Sequence, residues 1–249
     1  MNNLGVKKIE LMSPVICFAA GCLLSAFFFV WAAATVYKQV WPYSLLKHYS
    51  GESSSEGHSL HSRQRRSLFD TFTRNKDIVF LGDSISEQAP WVEMFPGVSL
   101  ANRGVSGERL VDMVTRVDGV IALRPKAVFL MGGVNDAVDG DVASALSSIS
   151  TIVEALHDES IDVYLQTTIE PRGPRRVFVK RLNIEIKKLA EVRGLVLIDT
   201  ATLADDGGLR SEYTLDGVHL NGDGFKAWQR LLEPHVEAAL KNTAKGATQ

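Results

Sequence analysis

The stretch at residues 78–85, Ile-Val-Phe-Leu-Gly-Asp-Ser-Ile, joins a short apolar run to a polar turn. A run of about four residues that is apolar on both faces is typical of a buried strand in a parallel sheet. Four more such runs lie at residues 98–101, 127–131, 161–166 and 195–198. Amphipathic segments alternate with these runs, so the pattern predicts an α/β fold with a five-stranded parallel sheet.

Three longer segments show apolar residues at the three- and four-residue spacing of a helix that packs on a sheet. They run from Val142 to Leu156, from Phe178 to a stop at Gly194, and from Phe225 to Leu240. Together with the strands they predict a doubly wound domain over residues 77–241, followed by a short tail at 242–249. Ligands of such sheets bind beyond the carboxyl ends of the strands, so functional residues are expected there.

Polar, glycine-rich turns follow the predicted strands. They are Gly82-Asp83-Ser84-Ile85, Asn102–Gly107, Gly132–Asp136 and, ahead of the last helix, Asp216–Asn221. A serine at a strand-to-helix turn can act as a nucleophile when a general base lies close by. His219 is the candidate base for Ser84, and Asp216 is spaced to orient its imidazole. The N–H groups of Ser84 and Gly104 and the side-chain amide of Asn135 are candidate donors to an oxyanion.

The four turns together resemble the SGNH (GDSL-type) hydrolase family, over residues 77–240. The Ser, Gly, Asn and His of that family match Ser84 in GDSI, Gly104 in NRGVSG, Asn135 in GVND and His219 in DGVH. GDSI in place of the commoner GDSL is a conservative departure. The sequence is similar to the branch that contains platelet-activating-factor-acetylhydrolase-like enzymes and carbohydrate O-acetyl esterases. The resemblance implies a three-layer flavodoxin-like fold, metal-free ester hydrolysis without a cofactor, and an acyl-serine intermediate.

The predicted function is hydrolysis of carboxylic esters, with an O-acetyl ester of a small molecule or glycan as the expected substrate. Three alternatives stay open: acyl transfer to a sugar hydroxyl, lysophospholipase or thioesterase activity, and a catalytically inactive binding module. The pair Asp216 and His219 is also compatible with part of a metal site. Arg172, Arg175 and Arg176 follow the fourth strand and are either substrate-binding cations or solvated loop charges.

Composition and charge narrow the class of protein. The chain has 249 residues, of which 45% are hydrophobic, and a formal net charge of −2. Near-neutrality argues against a nucleic-acid-binding protein, which usually carries a basic excess. This net charge is the sum of +5 over residues 1–76 and −7 over residues 77–249. Both cysteines, Cys17 and Cys22, lie in the first part, so the predicted domain offers no thiolate nucleophile.

Residues 11–37 form an apolar segment without a charged side chain. As a helix rising ~1.5 Å per residue it reaches about 40 Å, which exceeds the ~30 Å hydrocarbon core of a bilayer. It predicts a transmembrane signal-anchor helix after an N-terminal tail at residues 1–10, with cleavage after Ala34 or lipid attachment at Cys22 as alternatives. Residues 38–76 are predicted to be a juxtamembrane segment and flexible linker. The protein is therefore expected to be single-pass, with its catalytic domain in the periplasm or outside the cell.

Overall fold

The computed structural model describes residues 59–72 and 74–246. Three predicted segments lie outside the described residues: the tail at 1–10, the transmembrane helix at 11–37 and the juxtamembrane part of the linker at 38–58. Within the described part of the chain, no helix is both long enough and apolar enough to cross a membrane.

Five parallel strands form the central sheet. They are β1 (Ile78–Gly82), β2 (Leu100–Gly104), β3 (Ala127–Met131), β4 (Asp162–Gln166) and β5 (Val196–Ile198). Their order across the sheet is β2-β1-β3-β4-β5. Two short strands, β6 (Ala204–Asp205) and β7 (Gly208–Leu209), form a separate antiparallel pair. The predicted α/β class with a five-stranded parallel sheet is confirmed.

Helices connect and cover the strands. Those within the described residues are α1 (Leu60–Thr71), α2 (Ser84–Gln88), α3 (Trp91–Met94), α4 (Leu110–Val114), α5 (Val117–Ile121), α6 (Val142–Asp158), α7 (Arg175–Arg193) and α8 (Gly222–Gly246). Short 3-10 turns lie at Asp136–Val138, Thr200–Leu203 and Ser211–Tyr213. Helix α8 continues to Gly246, past the predicted domain end at residue 241.

The core consists of two apolar layers, one on each face of the sheet. In β1, Val79 and Leu81 pack with residues of α4 to α7 on one face. Ile78 and Phe80 pack with residues of α2, α3 and α8 on the other face. This division follows from the strand period of two, which sends successive side chains to opposite faces. The result is a three-layer domain in which the turns after β1, β2 and β3 share one edge of the sheet.

Strand β2 begins and ends later than the predicted strand at 98–101. It pairs with β1 over Leu100–Gly104, opposite Ile78–Gly82. The polar side chains of Asn102 and Arg103 are accommodated because β2 lies at the edge of the sheet. Apolar content alone therefore ended this strand too early.

Helix α1 lies inside the segment 38–76 that is predicted to be a flexible linker, so the prediction is wrong for residues 60–71. The compact unit begins at Leu60 instead of residue 77. The face of α1 that contacts the domain carries Arg66 and Phe69. Because this face is largely charged, hydrophobic periodicity does not reveal it.

Candidate active site

Ser84 is the first residue of α2 and follows β1 after a sharp turn. Asp83 caps the helix, and its Oδ1 accepts a hydrogen bond from the Ile85 N–H at 3.0 Å. Glycine is required at position 82, since a Cβ there would lie 2.5 Å from the backbone carbonyl oxygen of Met131 on the neighbouring strand. The turn thereby presents the Ser84 hydroxyl at the carboxyl end of the strand.

Ser84, His219 and Asp216 form a continuous chain of hydrogen bonds. Ser84 Oγ lies 2.9 Å from His219 Nε2, and His219 Nδ1 lies 2.6 Å from Asp216 Oδ2. A proton on Nδ1 faces the carboxylate, which leaves Nε2 as an acceptor for the hydroxyl proton of Ser84. The structure thus brings together the three residues that the sequence predicts, in the predicted order.

The loop that carries Asp216 and His219 is fixed by the same carboxylate. Asp216 Oδ1 accepts the N–H groups of Val218 at 2.9 Å and of His219 at 2.8 Å. Gly217 has a φ of +83°, a conformation that favours glycine. Partial burial raises the pKa of Asp216, but hydrogen bonds from the His219 side chain and from the two N–H groups outweigh it and hold the pKa well below its usual range. The carboxylate therefore stays ionised at neutral pH.

The residues considered for a metal site, Asp216 and His219, hydrogen-bond to each other. Among the described residues, no group of three or more His, Cys, Asp and Glu side chains is placed to hold a metal ion.

The predicted oxyanion donors differ in their availability. The N–H of Ser84 belongs to the first residue of α2, and no acceptor for it lies among the described residues. Asn135 Nδ2 donates to the Glu108 carbonyl at 2.9 Å, and an amide nitrogen carries a second proton. The N–H of Gly104 instead donates to Asn102 Oδ1 at 2.8 Å. The prediction of Gly104 as a donor is therefore corrected, because its only N–H already has an acceptor.

Gly104 has a packing function, and another glycine of the same turn has a free N–H. A Cβ on Gly104 would lie 2.2 Å from Glu87 N, so glycine allows α2 to approach β2. Gly107 has a φ of +81°, and in the described part of the chain nothing accepts a hydrogen bond from its N–H. The preceding Val105 N–H donates to the Gly82 carbonyl at 3.0 Å, which keeps this turn beside Ser84. Both glycines are visible in the motif NRGVSG, but the sequence alone does not show which of them packs against α2 and which has the free N–H.

Two buried carboxyl groups next to the site have raised pKa values. Burial raises the pKa of Asp83 to about 7, and burial raises that of Asp136 to about 6. Asp136 accepts the Leu110 N–H at 3.2 Å, at the start of α4. Both carboxyl groups thus accept hydrogen bonds from the first turn of a helix that follows a strand.

The three arginines predicted to bind substrate lie in or after the turn that follows β4. The backbone N–H of Arg172 donates to the Gly217 carbonyl at 2.7 Å. Its guanidinium Nη1 donates to the Leu209 carbonyl at 2.8 Å. Arg176 pairs with Glu170 at 3.2 Å, while Arg175 is exposed. The backbone of Arg172 therefore supports the loop between Asp216 and His219, and two of the three guanidinium groups have partners within the domain.

A doubly wound sheet with a hydrogen-bonded Ser–His–Asp chain at its strand ends is typical of a serine hydrolase. Comparison with protein families narrows this class. The GDSL-like lipase/acylhydrolase family matches residues 80–227. The chain belongs to this family and is a carboxylic ester hydrolase. No curated protein matches the chain.

Solved structures share the fold over most of the domain. A GDSL-like lipase from Bacteroides thetaiotaomicron is 23% identical, with a TM-score of 0.62, over 72% of this chain and 98% of that chain. A catalytic mutant of an acetylxylan esterase from Geobacillus stearothermophilus is 18% identical, with a TM-score of 0.55, over 64% and 93% of the two chains. Another acetyl xylan esterase is 22% identical, with a TM-score of 0.57, over 64% and 98%. At these identities the similarity concerns the fold.

Proposed function

We propose that this protein is a membrane-anchored serine esterase with Ser84 as nucleophile, His219 as general base and Asp216 as the acceptor that orients the imidazole. The observation that carries the proposal is the unbroken chain of hydrogen bonds, 2.9 Å from Ser84 to His219 and 2.6 Å from His219 to Asp216. A nucleophile, a base and an oriented base partner within hydrogen-bond distance are the groups that acyl transfer requires.

In the acylation step, Ser84 Oγ attacks the ester carbonyl carbon and its proton passes to His219 Nε2. The ionised Asp216 stabilises the imidazolium that forms. When the tetrahedral intermediate collapses, the ester C–O bond breaks and His219 gives the proton to the departing alcohol. Water then attacks the acyl-serine with His219 again as base, which releases the carboxylic acid and restores Ser84.

The oxyanion of the tetrahedral intermediate needs donors that are not already bonded. We propose the N–H of Ser84, the N–H of Gly107 and the free amide proton of Asn135 for this role. Gly107 takes the place predicted for Gly104, whose N–H is bonded to Asn102. Removal of one donor of this kind typically lowers kcat by about 100- to 1,000-fold.

The proposed substrate is a short-chain ester, with O-acetyl groups on carbohydrate as the class. Acetylxylan esterases are among the proteins that share the fold, which supports this choice at the level of analogy. The apolar segment at 11–37 supports single-pass anchoring, with the domain in the periplasm or outside the cell. A reporter fused after Lys47 tests this orientation, and a cytoplasmic signal would contradict it.

Hydrolysis by the full chain and by Ser84→Ala tests the proposed function. The panel contains acetylated glycans, short p-nitrophenyl esters, long-chain acyl thioesters and lysophospholipids. We expect acetate release into water by the wild type and a loss of about 1,000-fold or more in Ser84→Ala. A fluorophosphonate probe is expected to label the wild type and not the variant.

Turnover only with an added sugar acceptor would indicate a transferase, and preference for lysophospholipids or long-chain thioesters would contradict the proposed substrate class. Absence of labelling in folded wild-type protein would contradict the mechanism.

A further inference from the structure

Helix α1 precedes the part of the chain that matches the family, yet it is joined to the active-site turns by buried ion pairs. Arg66 contacts Glu108 Oε1 through Nη2 at 2.6 Å and through Nε at 2.7 Å. Arg116 Nε contacts the other oxygen, Glu108 Oε2, at 2.7 Å. The Glu108 side chain is 1% exposed, so its charge is compensated by these two guanidinium groups and not by water.

Glu108 lies where the proposed oxyanion donors meet. It directly follows Gly107, and its carbonyl accepts the hydrogen bond from Asn135 Nδ2 at 2.9 Å. Arg116, the second partner of Glu108, also donates to the Gly82 carbonyl at 3.1 Å, two residues before Ser84. A change in the position of Glu108 would therefore move all three proposed donors relative to one another.

A second set of contacts joins α1 to the same turn. Glu87 Oε2 accepts the N–H of Ser106 at 2.5 Å and its hydroxyl at 2.7 Å. The other oxygen of Glu87 lies 2.7 Å from His61 Nε2 and 3.7 Å from Arg65 Nε, both on α1. Arg65 Nε also donates to the Gly104 carbonyl at 3.3 Å. The turn at residues 105–108 is thus linked to α1 directly through Glu108 and indirectly through Glu87, which bonds to Ser106.

Phe69 adds an aromatic anchor to the charged face of α1. The guanidinium carbon of Arg103 lies 4.4 Å from the centre of the Phe69 ring, and those of Arg65 and Arg116 lie at 5.2 and 5.9 Å. Contacts of this kind stabilise guanidinium groups that are shielded from water. Two arginines that pair with the glutamates, Arg116 with Glu108 and Arg65 with Glu87, therefore also contact Phe69 of α1.

We propose that α1 is a positioning element of the active site, in which Arg66 fixes Glu108 and thereby the Gly107 and Asn135 donors in oxyanion-binding geometry. This inference rests on the proposed function, because it assigns the helix to the oxyanion site of the same reaction. Arg66 is a positioning residue, since it acts through Glu108 and does not reach the reacting atoms.

Arg66→Met in the full chain tests the inference, with Arg63→Met as the matched control because Arg63 is exposed on the same helix. For p-nitrophenyl acetate we expect kcat to fall about 10- to 100-fold in Arg66→Met, since small displacements of catalytic groups cost rates of this order. KM is expected to change less than about threefold, because the donors act on the transition state more than on the bound ester. Arg63→Met is expected to keep the wild-type kcat.

The assay is made well below the melting temperature of each variant, with circular dichroism as the check of folding. Arg66→Lys keeps one charge beside Glu108, so its kcat is expected to lie between those of the wild type and Arg66→Met. A folded Arg66→Met enzyme with wild-type kcat would assign α1 a purely structural role and overturn the proposal. If Arg66→Met does not fold, Arg66→Lys and His61→Ala carry the test, and wild-type kcat in both would overturn it.

Ser84→Ala separates this inference from the proposed function. If Ser84→Ala loses activity while Arg66→Met retains the wild-type kcat, the esterase mechanism stands and the positioning role of α1 fails. If Ser84→Ala retains activity, the proposed function itself fails, whatever Arg66→Met does.

Discussion

The Asp216 carboxylate has two separate tasks in the His219 loop. One oxygen accepts two backbone N–H groups and the other accepts the imidazole Nδ1 proton. An asparagine at this position keeps an oxygen for the two backbone N–H groups. Its side chain is neutral, however, and its amide nitrogen cannot accept the Nδ1 proton. The two tasks are therefore separable by a single substitution.

Asp216→Asn is expected to lower kcat by about 100- to 10,000-fold, because the imidazole loses the charge that stabilises its protonated form. The melting temperature is expected to fall only slightly, since the backbone hydrogen bonds of the turn remain. Asp206→Asn, at an exposed position in the neighbouring loop, is the control. Equal kcat in the Asp216→Asn enzyme and the control would rule out Asp216 as the partner of His219.

At the scale of single residues, the sequence predicts which side chains meet at the strand ends better than it predicts which backbone N–H groups are free. Ser84, Asp216 and His219 are predicted from residue type and from the turns that carry them, and the structure joins them in one hydrogen-bonded chain. The distinction between Gly104 and Gly107 depends on where the Asn102 side chain lies, which no local pattern shows. A backbone N–H is present at every residue except proline, so its availability is a property of the fold.

Among the elements, helix α7 ends at a residue with left-handed backbone geometry, which gives a test of stability. Gly194 follows the helix with a φ of +62°, and a Cβ there would meet nothing within 4 Å. Gly194→Ala is thus expected to lower the free energy of unfolding by about 1 kcal/mol through backbone strain alone.

Gly119→Ala is the matched control, because Gly119 lies within α5 at an exposed position where a Cβ also meets open space. Its free energy of unfolding is expected to rise by about 0.5–1 kcal/mol, since alanine favours the helical backbone. Urea unfolding of the full chain in mild detergent, followed by circular dichroism, measures both. Destabilisation of equal size in the two variants would show that the sign of φ is not the cause.

Elements with an apolar face were predictable from the sequence, and an element with a charged face was not. The stripe in Val142–Leu156 gives a helix at Val142–Asp158 because burial on the sheet dominates its stability. Helix α1 is docked by ion pairs and by cation contacts with Phe69, which have no apolar period. Its partners in these ion pairs are Glu87 and Glu108, which lie more than twenty residues further along the chain.

For the whole molecule, alternating apolar runs and helical stripes were sufficient to predict the sheet. Parallel strands joined by helices bury both sheet faces, which is why β1 and β3 are fully buried. The order of the strands across the sheet follows from contacts between distant segments, so the sequence of any one segment does not reveal it. The acidic excess of residues 77–249 indicates net charge but not which carboxyl groups are buried.

Buried carboxyl groups make the stability of the whole domain dependent on pH. Burial raises the pKa of Asp83 from 3.8 to about 7, and that of Asp136 from 3.8 to about 6. Between pH 3.8 and about 7, the folded protein retains the Asp83 proton while the unfolded chain has released it. Unfolding then releases a proton, so the free energy of unfolding falls as pH rises, by ~1.4 kcal/mol per pH unit for this group. Asp136 adds to the same trend up to a pH of about 6.

Asp83→Asn is expected to remove the larger part of this dependence, because asparagine keeps an oxygen for the Ile85 N–H and has no proton to release. Its free energy of unfolding, relative to the wild type, is expected to increase as pH rises from 4 to 7 and to level off above that range. Asp158→Asn, on the surface at the end of α6, controls for the loss of a carboxylate. Urea unfolding at half-unit pH steps gives the difference directly. Parallel curves for the wild type and Asp83→Asn would mean that Asp83 is ionised in the folded protein, which would contradict a raised pKa.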